Sequence, residues 1–128
     1  MNKEILNKVK VNFAQGEREF QNAKQNLNVY YDGKIRTIAR RAVGFYVDGY
    51  VNFTNKEHYG NSFMNHLRGL ENDKTIPTEI NNSASALTMK MKNEELTGKE
   101  AIKHAEILIS FCKEELNKFI IKENRNEI

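Results

Sequence analysis

The chain has 128 residues, 39% apolar and 29% charged, enough apolar content for one packed domain and too much for a disordered chain. One Pro, seven Gly and no Trp leave too few turn residues for a β-sandwich or barrel. Twenty basic against seventeen acidic side chains give a net charge of +3, well short of a dedicated nucleic-acid binder. Residues 1–64 carry ten basic and six acidic groups and residues 65–128 ten and eleven, so an anion-binding surface is expected in the first half. No apolar run approaches the roughly 20 residues of a membrane span, Met1–Lys10 has no signal-peptide core, and the lone Cys112 forms no internal disulfide. These features point to a cytoplasmic protein.

Ile5, Val9, Phe13, Gly16, Phe20, Ala23 and Leu27 step by three and four, the spacing of one long helical stripe that ends at Tyr30–Gly33. A second helix is predicted over about 34–53, with Ile35, Ile38, Ala39, Ala42, Val43, Tyr46, Gly49, Tyr50 and Phe53 on its main face. Val47 and Val51 lie to one side of that face, so the helix is apolar on two sides. It is expected either at the centre of the fold or, through Val47 and Val51, at an interface between subunits. Gly44 inside it is read as a close helix crossing, and Gly49 as relief of crowding beside Tyr46 and Tyr50.

Thr54 and Glu57 fit a capping box, predicting that a third helix opens there and carries Tyr59, Phe63, Leu67 and Leu70. Pro77 suits the start of a fourth helix with Ile76, Ile80, Ala84, Leu87 and Met91, followed by a polar loop over 92–96. Thr97 and Glu100 form a second capping box, opening a last helix with Ile102, Ala105, Ile109, Cys112, Leu116 and Phe119 on one face. The expected fold is all-α, an antiparallel up-and-down bundle of four to five helices, with one domain over 1–122 and a frayed tail over 123–128.

The motifs of several chemistries are missing. There is no G-x-G-x-x-G and no P-loop, no Glu followed three residues later by His as a di-iron bundle requires, and no Cys/His cluster for zinc. No cofactor or metal is expected. Arg36 and Arg40 share one side of the second helix and offer fork-shaped donors for phosphate groups. The stretch His58–Arg68 concentrates polar groups, and Asn61, Asn65 and Arg68 are spaced to share a helix face, with His66 between them. Arg36, Arg40, Asn61, Asn65, His66 and Arg68 are therefore the candidate ligand-binding residues, and Val47 and Val51 the candidate interface.

The first helix closes on Ala23-Lys24-Gln25-Asn26-Leu27, the central helix carries Ala39-Arg40-Arg41-Ala42-Val43-Gly44-Phe45-Tyr46, and the last carries Glu100-Ala101-Ile102-Lys103-His104-Ala105-Glu106. Over about residues 12–120 this order resembles the HEPN superfamily of small helical bundles. Ribonucleases of that superfamily carry Arg, four to six residues, then His; none of His58, His66 and His104 is so preceded. The resemblance therefore implies a non-catalytic role. It would be a homodimeric accessory protein beside a nucleotidyltransferase or in a toxin–antitoxin or defence locus, contacting a protein partner and nucleotide or RNA. Two alternatives stand beside it: a ribonuclease with a non-standard site drawn from Arg36, Arg40, Arg41, His58 and His66, and a purely structural association module.

Overall fold

A computed structural model describes residues 2–88 and 96–126. Five α-helices and one short 3-10 turn account for the described fold, and no strand is present among the described residues. Helix α1 spans Lys3–Gln25, α2 Asp32–Thr54, α3 Phe63–Asn72, α4 Thr78–Thr88 and α5 Gly98–Asn126, with the 3-10 turn at Glu57–Tyr59. The architecture is an all-α bundle. No helix is long and apolar enough to cross a membrane.

Helix α1 starts at Asn2, whose side chain accepts from the Glu4 amide at 2.7 Å. Its buried stripe is Val9, Asn12, Gly16, Phe20 and Ala23, which seats it along α2; Ile5, expected on that stripe, is exposed in the first turn. Helix α2 is the centre of the fold, packing on α1, α3 and α5. That arrangement uses both of its apolar sides. Val47 is 0% exposed in the core, which closes it to a subunit interface within this fold, whereas Val51 packs against that core and stays partly exposed. A helix flanked by three others has its second apolar side covered within one chain.

The core runs the length of α2. Tyr50 is surrounded by the rings of Phe53, Tyr59 and Phe111 at centroid distances of 5.6, 6.2 and 5.5 Å, and Phe119 meets Phe53 at 5.4 Å. Gly44 does mark a close crossing: a Cβ there would overlap the Phe63 ring at the start of α3. Gly49 faces α1, where a Cβ would meet Phe13 at 2.8 Å.

The third helix begins later than its sequence signal. Thr54 is the last residue of α2, its hydroxyl donating back to the Tyr50 carbonyl at 2.7 Å, and Asn55 ends the helix in the left-handed region at φ 59°. The chain then makes the 3-10 turn, bends at Gly60 (φ 77°) and enters α3 through Ser62, whose hydroxyl accepts from the Asn65 amide at 3.0 Å. The second capping box does form: the Glu100 amide donates to the Thr97 hydroxyl and the Thr97 amide to the Glu100 carboxylate, both at 3.1 Å. Helix α5 then continues to Asn126, so residues 123–126 are helical where fraying was expected. The segment holds no Gly or Pro to stop it, and Phe119 and Ile120 anchor the preceding turn on the core. Met91 and the loop expected over 92–95 lie outside the described residues.

Candidate binding surface

The two arginines assigned to ligand binding are spent on the fold. Arg36, only 5% exposed, donates from Nη1 to the Leu96 carbonyl at 2.7 Å, and Arg40 donates from Nε to the Leu87 carbonyl at 2.7 Å. One turn apart on α2, they hold the end of α4 and the approach to α5. A buried main-chain oxygen needs a donor, and a guanidinium reaching from the next helix supplies a charge-assisted one. Asp32 adds a third tie at this end, accepting from the Gly98 amide at 3.0 Å.

His66 is likewise interior, 2% exposed between α2 and α3, with Nε2 3.5 Å from the half-exposed Asp48 carboxylate. Its Nδ1 is buried without a hydrogen-bond partner. Asp48 on α2 thus faces a histidine of its own chain. Arg41, named for the non-standard ribonuclease site, pairs with Glu19 on α1 at 3.0 Å.

The remaining residues of the set lie near α3. Asn65 and Arg68 are exposed on its outer face and, with His58, Gly69, Asn72 and Asp73, line a shallow depression of about 190 Å3. Asn61 is exposed in the bend before the helix and is not part of that lining, because the chain at Asn61 is not helical and the spacing of four does not align it with Asn65. The structure therefore brings Asn65 and Arg68 together, adds His58 and Asn72, and separates Arg36, Arg40 and His66 from them.

Beneath the depression is a polar cluster that the sequence reading did not identify. Gly69 has no side chain where the Tyr59 ring lies against α3. That leaves the fully buried Tyr59 free to donate its hydroxyl to Asp73 Oδ2 at 2.5 Å. Lys56 Nζ donates to the same oxygen at 2.5 Å and to the Thr75 hydroxyl at 3.1 Å; the Thr75 amide and hydroxyl donate to Oδ1 at 2.9 and 2.6 Å. Burial favours the neutral carboxyl, yet the donors from Lys56, Thr75 and Tyr59 prevail and hold Asp73 well below the usual carboxylate range. Burial and the bond to Asp73 together push the Tyr59 phenol far up, so it stays protonated. Asn81 then donates to the Leu70 and Asp73 carbonyls at 2.7 and 2.9 Å, fastening α4 to the same turn. The local clue was Asp73-Lys74-Thr75, an aspartate two residues before a threonine it can cap.

A second concavity follows α5. It has a volume of about 540 Å3, with Pro77 and Ile80 on the α4 side and Ile107 and Phe111 on α5. The carboxylates of Glu79, Glu106, Glu114 and Glu115 line it, with Lys103 and Lys118. Cys112 is fully buried, and burial raises its thiol pKa far above the usual value. No group of three or more His, Cys, Asp or Glu among the described residues could hold a metal ion. Comparison with protein families, with curated proteins and with solved structures finds no match to this chain.

Proposed function

We propose that this chain is a non-catalytic, HEPN-like binding subunit. Its partner would be a protein of the nucleotidyltransferase type, or one from a toxin–antitoxin or defence locus, with a secondary contact to nucleotide or RNA. The supporting observation is the division of its polar groups. Arg36, His66 and Cys112 are interior and the half-buried Arg40 is bonded to the Leu87 carbonyl, whereas Asn65, Arg68, His58 and Asn72 face solvent together around a shallow depression. Two amides, a guanidinium and an imidazole around an open depression suit contact with phosphate or a base edge; bond-breaking chemistry needs an acid–base group held against the reacting atoms, and His58 lies exposed at the surface. Homodimerisation in the cytoplasm belongs to the same reading, through a surface that does not include the buried Val47.

The test pairs an assembly measurement with an activity measurement. Native mass spectrometry of the untagged protein is expected to show a homodimer or a fixed stoichiometry with one second polypeptide. A short labelled RNA is expected to bind weakly, to bind several-fold more weakly after Arg68→Ala, and to stay intact. RNA cleavage that disappears in His58→Ala or His66→Ala, with folding preserved by circular dichroism, would overturn the proposal in favour of a ribonuclease.

A further inference from the structure

The concavity along α5 has the shape and charge of a receptor for a helix. Its α5 lining runs from Lys103 to Lys118, fifteen steps along the helix or about 22 Å at 1.5 Å per residue, enough for about four turns of a helix laid alongside. Ile80 and Phe111 are nearly buried, and Ile107 is partly exposed between them. The Phe111 ring is fixed from behind by Tyr50, 5.5 Å away between centroids. A pre-formed apolar floor of this kind accepts apolar anchors without reorganising.

The charge narrows the occupant. Lys118 sits 3.5 Å from Glu115 and offsets it, whereas Glu79, Glu106 and Glu114 have no ion-pair partner among the described residues. With Lys103 as the one opposing charge, the lining is left with an excess of two negative charges, although the whole chain carries +3. An acidic rim around an apolar floor repels nucleic acid and attracts cations. We propose that the α4–α5 groove docks an amphipathic helix of a partner protein, one with an apolar stripe and lysines or arginines on its flanks. The inference rests on the reading of the chain as a binding subunit and names the chemistry its partner presents.

The probe is a synthetic helical peptide with leucines at i, i+4, i+7 and i+11 and lysines on both flanks, compared with a peptide whose lysines are replaced by glutamates. Titrated into the full chain at low salt, the lysine peptide is expected to bind with amide shifts centred on Ile107, Ser110 and Phe111, and the glutamate peptide not to bind. Glu106→Lys with Glu114→Lys, both exposed, replaces two attractions by two repulsions and is expected to weaken binding by about tenfold. Ser110→Trp, which fills the groove from an exposed position without changing charge, is expected to do the same. Equal binding of the two peptides, shifts elsewhere, or no binding of the lysine peptide would overturn the proposal. So would self-association of the chain that the double variant abolishes, since the occupant would then be a second copy. A co-purified partner that stays bound to both groove variants would overturn the groove assignment and leave the binding-subunit reading standing.

Discussion

Asp73 collects three side-chain donors, from Lys56, Tyr59 and Thr75, and the Thr75 amide besides. Its carboxyl is therefore harder to protonate in the folded chain than in the unfolded one, and the sign of the pH dependence follows. The stabilisation is fully present above the ordinary carboxylate pKa of about 4 and is lost progressively as pH falls below it toward the depressed folded value. Asp73→Asn is expected to destabilise strongly at pH 7, because Lys56 loses its counter-charge and one of the two accepting oxygens becomes an NH2 that faces donors. The gap to the parent protein should narrow at pH 3, as read by urea unfolding at the two pH values. A gap independent of pH would show that the carboxylate charge contributes nothing. Tyr59→Phe removes one donor and keeps the ring against Gly69, at a cost of about 1–2 kcal/mol.

Two threonines and a serine show how the elements were and were not legible. Thr97 and Thr54 present the same local pattern, a hydroxyl three residues before a glutamate. Only Thr97 caps a helix, because Leu96 before it is not helical, whereas the apolar stripe of α2 runs on to Phe53 and leaves Thr54 inside the helix. Asn55 stops that helix, and Ser62 starts the next. Ser62→Ala is accordingly expected to cost about 1 kcal/mol and Thr54→Ala much less, measured by thermal or urea unfolding. The reverse order would restore the earlier helix start. Helices α1, α2 and α5 were readable because long stripes average over single exceptions such as Ile5. The candidate site was read less well because its contacts are not local. Arg36 meets a carbonyl 60 residues away, Arg40 one 47 away and Lys56 a carboxylate 17 away, and no spacing rule along one helix reports such partners. The acidic lining of α5 was in the sequence at Glu106, Glu114 and Glu115, but only against α4 does it become a concavity.

For the molecule as a whole, the placement of α2 decides what a substitution at Val47 does. A carboxylate there would enter a closed core at a cost of several kcal/mol. Val47→Glu is thus expected to unfold or aggregate the chain instead of yielding a folded monomer from a dimer, which circular dichroism and light scattering together would distinguish. A folded monomer would place Val47 on a subunit seam after all. The pair of arginines on α2 has a different consequence. Since Leu87 and Leu96 are each fastened to the same helix one turn apart, the separation of these two anchor points is set by α2 and not by the length of chain that joins them. The fastening is thus two-pointed: replacing either arginine by alanine releases one end of it while the other still holds.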